Sequence, residues 1–222
     1  MSIAAPRIAI FGGSFDPVHN AHVALARLAL DELQLDELRW VPAGQAWQKA
    51  RPLTAARHRE AMLRLAIKGE PRFSVSRIEL DRAGASFTLD TVREMQAEMQ
   101  AEMQSEMQNA PLSAQWFLLI GQDQYAGFHT WQGWQELLAR VTLAVAQRSG
   151  PGGTGAQPWA VDAQVQRAAQ QAVTLPMMDV SSTDIRERVA SGQGIDDLVP
   201  PAVARYIDQH NLYLGNDLHG HS

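Results

Sequence analysis

Short apolar segments alternate with amphipathic segments along most of this chain. The apolar segments predict buried β-strands near residues 7–12, 37–42, 72–76, 116–120 and 141–146. Between and after them, apolar residues recur at three- and four-residue spacing, which predicts helices near residues 20–34, 54–68, 88–108, 132–139, 183–191 and 201–210. Alternation of this kind favours a parallel sheet that is covered on both faces and joined by right-handed crossovers.

The predicted fold is therefore α/β: a Rossmann-like, doubly wound parallel sheet with helices on both faces and a small helical extension at the C-terminus. No stretch has the composition of a linker between domains, so residues 1–222 are predicted to form a single domain. Sheets of this type bind their ligands beyond the carboxyl ends of the strands, which directs attention to the segments that follow them.

The segment after the first predicted strand reads GGSFDPVHNAH over residues 12–22. Gly12 and Gly13 allow a positive φ and the close approach of a ligand. The proline after Asp16 disfavours helical geometry at Asp16 and marks a turn. We expect a helix to begin near Asn20, with Asn20 or Asp16 as its N-cap.

His19 and His22 would lie on one face of the first turn of that helix. Unpaired backbone N–H groups and the positive end of the helix dipole favour an anion at this point. Imidazole N–H groups there could donate hydrogen bonds to a leaving phosphate and stabilise the negative charge that develops on it. The segment therefore predicts a phosphate site without the lysine of a Walker motif.

Three other interpretations of this segment remain open from the residues alone. The Gly-Gly-Ser turn is common at strand–helix junctions. The His-x-x-His pair could bind zinc, although it lacks the glutamate of His-Glu-x-x-His and the chain has no cysteine to complete a structural site. The two histidines could also be structural.

A second candidate segment lies at residues 180–186, which read VSSTDIR. Ser182 or Thr183 is expected to cap a helix, and an ordinary capped helix is the alternative interpretation. Arg186 would lie near the helix start, where its planar fork could hold phosphate oxygens bidentately. Two helix N-termini facing one triphosphate suit a chain of net charge −5, because its overall field repels anions.

The first segment resembles the signature of the nucleotidylyltransferase superfamily, Gly-x-Phe-Asp-Pro-x-His-x-Gly-His, with Ala21 where the family usually has glycine. The second resembles the Ile-Ser-Ser-Thr-x-Ile-Arg element of the same superfamily. The segments SFTLDT at 86–91, GQD at 121–123 and FHTW at 128–131 follow in an order similar to that of the bacterial nicotinate-nucleotide adenylyltransferases. The resemblance covers nearly the whole chain.

The resemblance implies a site assembled from several parts of the chain. The implied catalytic residues are His19, His22, Lys49 and Arg186. The implied ATP-binding residues are Gly12, Gly13, Ser14, Phe15, His19, His22, Asp123, Ser181, Ser182, Thr183 and Arg186. The implied nicotinate mononucleotide residues are Thr88, Trp131 and Arg148, with Trp131 stacking on the ring.

The implied reaction is adenylyl transfer from ATP to nicotinate mononucleotide, which gives nicotinate adenine dinucleotide and pyrophosphate in NAD biosynthesis. Mg²⁺ is expected to arrive with ATP, and no metal site built by the protein is expected. One alternative is an adenylyl- or cytidylyltransferase for another acceptor, such as nicotinamide mononucleotide or phosphopantetheine. A second alternative is a non-catalytic nucleotide-binding module on the same fold.

Composition agrees with a globular enzyme, since 45% of residues are hydrophobic and 19% are charged. The sequence has no basic stripe for nucleic acid, no run approaching about 20 apolar residues and no signal peptide. Together with the lack of cysteine, this leads us to expect a cytoplasmic protein that binds neither nucleic acid nor membrane. The oligomeric state is not indicated.

Residues 94–108 repeat the unit Glu-Met-Gln with methionines four residues apart. Each step of four residues turns about 40° past a full rotation, so the methionines spread over about 120° of the helix surface. We expect a helix that extends beyond its packing partner and carries no site; a copper site built from thioethers is the alternative. The tail at 215–222, with His219 and His221, is expected to be loose.

Overall fold

The computed structural model describes residues 5–44, 52–106, 114–149, 161–176 and 178–214. Six strands form one parallel sheet in the order β3-β2-β1-β4-β5-β6. The strands are β1 (Arg7–Gly13), β2 (Glu37–Pro42), β3 (Phe73–Val75), β4 (Gln115–Gly121), β5 (Thr142–Ser149) and β6 (Gln170–Pro176). The strand order reverses between β1 and β4, which places the ligand-binding crevice of a doubly wound sheet at the carboxyl end of β1.

Eight α-helices lie among the described residues. They are α1 (Asn20–Glu32), α2 (Ala56–Ile67), α3 (Thr88–Glu106), α4 (Gln122–Ala126), α5 (Trp134–Arg140), α6 (Ala163–Arg167), α7 (Ser182–Ala190) and α8 (Pro201–Gln209). None of these helices is both long and apolar enough to cross a membrane.

The alternation of side chains along β1 divides the core into two layers. Ile8 and Ile10 belong to one buried cluster, which also contains residues of α3 and α5. Ala9 and Phe11 belong to the other, which contains residues of α1, α2, α7 and α8. Because β1 is buried on both faces, its sequence is continuously apolar rather than alternating, as is usual for a central parallel strand.

All five predicted strands and all six predicted helices are present, with most boundaries within two residues of the prediction. The prediction of five strands was nevertheless wrong, because β6 is a sixth. β6 lies at the edge of the sheet, and Val173 is the one buried residue among its described side chains. An edge strand with a single buried residue leaves no apolar run in the sequence. The five-residue helices α4 and α6 were also missed, being too short to show a period.

Helix α3 contains most of the methionine repeat. Met95 is buried in the core, and Met99 packs partly against it. Residues 100–102 are exposed on the same helix. The predicted continuation to residue 108 and the tail at 215–222 lie outside the described residues.

Gly133, at the start of α5, has a φ of +67°, and a Cβ there would lie 2.3 Å from Cδ2 of Leu89. Gly192 has a similar φ of +72° but open space around its Cβ position. Gly192→Ala should therefore lose only the left-handed backbone cost of about 1–2 kcal/mol. Gly133→Ala should lose about 1–3 kcal/mol more from overpacking. Urea unfolding of the two variants measures both values, and equal losses would contradict the proposed contact with Leu89.

Candidate active site

The turn after β1 opens onto a cavity of about 590 Å³ at the carboxyl edge of the sheet. Gly12 and Gly13 line it, and a Cβ on Gly12 would meet no protein atom within 4 Å. A Cβ on Gly13 would instead lie 2.9 Å from the ring of Phe15. Gly13 is thus required by the fold, whereas the space in front of Gly12 is available to a ligand.

The two signature histidines lie side by side at the start of α1, as the sequence predicts. Their rings stack with centroids 3.6 Å apart and planes inclined by 24°. The backbone N–H of His19 donates to Nδ1 of His22 at 3.3 Å. Since Nδ1 of His22 accepts a hydrogen bond, neutral His22 carries its proton on Nε2.

The predicted N-cap of α1 was wrong, because His19 occupies that position with extended backbone angles. Asn20 is already inside the helix, where its side chain donates to the carbonyl of Asp197 at 3.0 Å. The carboxylate of Asp16 accepts hydrogen bonds from the hydroxyl of Tyr213 at 2.7 Å and from the backbone N–H of Thr54 at 3.3 Å. Both predicted caps are thus used for contacts with distant segments.

His19 is only 7% exposed, and burial lowers its pKa to about 4. Its Nδ1 is buried without a hydrogen-bond partner among the described residues. His19 is therefore a neutral imidazole at pH 7, and it can offer one N–H group but no full positive charge.

The second segment docks directly onto the first. The hydroxyl of Ser182 donates to the carbonyl of Pro17 at 2.9 Å, and Nη1 of Arg186 donates to the carbonyl of Asp16 at 2.7 Å. Nη2 of Arg186 donates to the hydroxyl of Thr183 at 3.0 Å. The structure therefore brings the N-termini of α1 and α7 together, as the two-helix interpretation predicts.

The predicted cap of α7 was wrong by one or two residues. Ser181 is the N-cap, and its hydroxyl accepts from the backbone N–H of Asp184 at 3.1 Å. Ser182 begins the helix and instead contacts the first segment. The sequence offers three consecutive hydroxyl residues at this point, and only the tertiary contact decides which of them caps the helix.

Thr88 and Trp131 lie on the wall of the same cavity as Gly12 and Gly13. Thr88 is the first residue of α3, and the ring of Trp131 packs against that of Phe128 with centroids 5.0 Å apart. The structure thus places the two predicted acceptor residues next to the β1 turn. The β1 turn, Thr88 and Trp131, which are far apart in the sequence, thus line one pocket.

Asp123, Arg148 and Lys49 are the remaining predicted residues. Asp123 is exposed in the first turn of α4 and does not line the cavity. The backbone of Arg148 lies in β5, but its side chain is outside the described part of the structure. Lys49 lies outside the described residues altogether.

Glu79 and Ser86 are among the polar residues of the cavity to which the sequence analysis gave no role. Glu79 accepts from the hydroxyl of Thr91 at 2.8 Å, and burial raises the pKa of its carboxyl group. The hydroxyl of Ser86 is buried without a partner among the described residues. Ser86 belongs to the segment 86–91 that carries the resemblance, although no role was assigned to it, whereas nothing local marks Glu79.

Comparisons with known proteins agree with this geometry. A family model described as cytidylyltransferase-like matches residues 10–188. A protein of Methylibium petroleiphilum named "Probable nicotinate-nucleotide adenylyltransferase" is 47% identical over 211 residues, which cover 93% of this chain and 92% of that protein. A Neisseria meningitidis serogroup B protein of the same name is 37% identical, covering 93% of this chain and 98% of its own length.

The fold is similar to that of solved structures. The nicotinic acid mononucleotide adenylyltransferase of Plasmodium falciparum, solved in complex with NaAD, aligns with a TM-score of 0.66 and 20% sequence identity. The alignment covers 94% of this chain and 97% of that one. The match of the family model and the identity to full-length relatives show that this chain belongs to the nicotinate-nucleotide adenylyltransferase family, within the cytidylyltransferase-like proteins.

Proposed function

We propose that this protein transfers the adenylyl group of ATP to nicotinate mononucleotide, giving nicotinate adenine dinucleotide and pyrophosphate. One observation carries the proposal. The start of α7 bonds to the carbonyls of Asp16 and Pro17, just before α1, and Ser14 of the same turn lines the cavity together with Thr88 and Trp131. This connection supports a triphosphate site at the two helix N-termini and an acceptor site in the cavity. The names of the relatives support the choice of acceptor.

In the proposed reaction, a phosphate oxygen of nicotinate mononucleotide attacks the α-phosphorus of ATP in line. A new phosphorus–oxygen bond forms as the bond to the bridging oxygen of the β-phosphate breaks, and that oxygen leaves with pyrophosphate. ATP enters as its magnesium complex. The protein contributes positioning and charge stabilisation rather than covalent chemistry.

The stacked histidines are proposed to contact the α- and β-phosphates. His22 would donate from Nε2, since its Nδ1 already accepts the backbone N–H of His19. His19 would donate as a neutral imidazole, its charge being suppressed by burial. Two imidazole donors at a helix N-terminus can stabilise the negative charge that develops on the leaving pyrophosphate.

Arg186, with the start of α7, is proposed to hold the β- and γ-phosphates. Its bond to the carbonyl of Asp16 fixes the plane of the guanidinium beside the β1 turn. A phosphate oxygen could replace the hydroxyl of Thr183 as the acceptor of Nη2. Lys49, by its resemblance to the family lysine, is proposed as a further cation for the phosphates.

The cavity is proposed to take the pyridine ring and ribose of the acceptor. Its volume of about 590 Å³ suits a small-molecule site. Trp131 offers a face for stacking, and the positive end of the 19-residue helix α3 begins at Thr88, where it would favour the nicotinate carboxylate. Arg148 and Asp123 are proposed, by resemblance, to contact acceptor phosphate and nucleotide ribose.

The position of Glu79 in the cavity favours nicotinamide mononucleotide, one of the alternative acceptors. Its carboxylate lines the cavity and would repel the carboxylate of nicotinate when ionised, whereas it could accept a hydrogen bond from the amide of nicotinamide mononucleotide. The hydroxyl of Thr91 already donates a hydrogen bond to this carboxylate at 2.8 Å, so one of its acceptor positions is filled. Turnover measured with each acceptor therefore decides between nicotinate mononucleotide and nicotinamide mononucleotide.

Pyrophosphate release from ATP, measured with a panel of acceptors, tests the function. Nicotinate mononucleotide should give a kcat/KM about 10- to 100-fold above that of nicotinamide mononucleotide, because the charged acceptor makes stronger hydrogen bonds. Phosphopantetheine should give no release. Preference for the amide would correct the substrate, and no release with any acceptor would leave only a nucleotide-binding module.

His22→Ala should lower kcat by about a hundredfold with little change in KM, because it removes a donor used mainly in the transition state. His58→Ala is the matched control: His58 lies on α2, bonded to the hydroxyl of Tyr206, and should leave kcat unchanged. Both variants are compared at equal folded fraction, verified by circular dichroism. Near-normal turnover by folded His22→Ala would remove this residue from the proposed mechanism.

The depressed pKa of His19 predicts a specific loss of stability in acid. Unfolded His19 takes up a proton near pH 6.5, whereas the folded residue does so only near pH 4, so its contribution is present above pH 6.5 and is lost as the pH falls toward 4. This contribution should fall by about 2 kcal/mol between pH 7.5 and pH 5. Glu79, whose pKa is raised, acts in the opposite direction, so the comparison is made against His19→Asn.

Urea unfolding of the wild type and of His19→Asn at pH 7.5, 6 and 5 measures the difference. The variant should show a flatter dependence of unfolding free energy on pH. Identical slopes would show that His19 takes up its proton normally in the folded protein.

A further inference from the structure

Arg59 is 1% exposed, although it lies in the first turns of α2, a helix on the surface of the sheet. Its position is three residues before Met62 and four before Leu63, so it occupies the apolar stripe of the helix. A charged side chain in such a stripe costs free energy unless its donors are satisfied. The partners of Arg59 therefore indicate why an arginine is kept there.

The donors of Arg59 all bond to backbone carbonyl oxygens. Nη1 donates to Ser14 at 3.0 Å, Nη2 donates to Ala43 at 2.8 Å and is 3.5 Å from the carbonyl of Gly44, and Nε donates to Thr54 at 2.9 Å. Ser14 belongs to the turn after β1. Ala43 and Gly44 follow β2, and Thr54 precedes α2. One guanidinium thus ties together three segments at the carboxyl edge of the sheet.

Two of these segments form the wall of the substrate cavity. Ser14 lines it on the β1 side and Ala43 on the β2 side. The backbone N–H of Ala43 also donates to the carbonyl of Gly13 at 2.8 Å, so Arg59 reinforces an existing contact between the two strand ends. The residues between Gly44 and Thr54, which include Lys49, are joined by the chain to the carbonyls that Arg59 holds.

We infer that Arg59 is a positioning residue for adenylyl transfer: it sets the spacing between the β1 turn and the end of β2, and so aligns acceptor and ATP for in-line attack. The inference rests on the proposed function. Arginine is required because its rigid planar fork reaches several carbonyls in fixed directions, whereas lysine supplies a single point of donation. Burial lowers the pKa of the Arg59 guanidinium, and the nearby carboxylate of Asp16 opposes this shift.

Arg59→Lys keeps the charge and removes the fork, so it tests positioning directly. We expect kcat for pyrophosphate release to fall about 10- to 100-fold, because small misplacements of reacting groups have effects of this size. Arg64→Lys is the matched control on the same helix. Arg64 is exposed and bonded to Glu60, and this variant should retain wild-type kcat.

Met62→Ala distinguishes a positioning role of Arg59 from a purely structural one. Met62 is a fully buried residue of the same helix. This variant should lose stability through a cavity but keep kcat when assayed well below its midpoint of unfolding. A fall in kcat for Arg59→Lys that Met62→Ala does not share, at equal loss of Tm, supports positioning. Equal kcat values in the two variants, or a normal kcat in Arg59→Lys, overturn it.

If Arg59→Lys does not fold, Arg59→Gln, which retains two donors without the charge, is taken through the same comparison. Should neither fold, wild-type kcat is measured at rising urea concentrations below the unfolding transition. Loss of wild-type kcat before any loss of global structure supports the inference, and retention of kcat up to global unfolding overturns it.

Calorimetric binding of magnesium–ATP separates this inference from the proposed function. If the wild type binds ATP but releases no pyrophosphate with any acceptor, the proposed function fails. Arg59→Lys then still tests the residue, since weaker binding of ATP than in Arg64→Lys would support a role in holding the β1 turn. Equal binding by the two variants would overturn it.

Discussion

The site depends on one long-range contact: the hydrogen bond from Arg186 to the carbonyl of Asp16, which joins residues 170 positions apart. The hydroxyl of Ser182 reinforces it at the carbonyl of Pro17. Without these bonds, the N-termini of α1 and α7 would be separate anion sites of ordinary strength. Held together, they form the two-part phosphate site on which the proposed adenylyl transfer rests.

A common physical solution recurs at the carboxyl edge of the sheet. In the segments that follow the strands, backbone carbonyl groups have no ladder partners and must be satisfied in another way. Arg186 and Arg59 supply the missing donors from α7 and α2. Both cations are thereby fixed at the proposed phosphate site of a chain of net charge −5. Local donors, rather than the overall field, must therefore attract the nucleotide.

The features that could be predicted from the sequence are those set by residues close to one another in the chain. The continuous apolar run of β1, the paired histidines and the helix spacing of α1 are local patterns, and the structure contains all of them. Features decided by distant contacts were missed or shifted. The cap moved to Ser181 because Ser182 contacts Pro17, and β6 escaped detection because Val173 is its one buried described residue. The sequence gives a weaker indication of Arg59, since it shows an arginine in the apolar stripe of an amphipathic helix. The backbone carbonyls that surround the guanidinium explain why an arginine lies there.

The hydrogen bond between Asp16 and Tyr213 has a consequence for the time at which the site is assembled. The two residues are 197 positions apart, so at a synthesis rate of about 5–20 residues per second Tyr213 is added about 10–40 s after Asp16. During that interval the strand, the turn and both histidines already exist, but the carboxylate under the turn lacks the phenol that will cover it. A nascent chain therefore carries the signature residues well before it can hold them in the arrangement that binds a nucleotide.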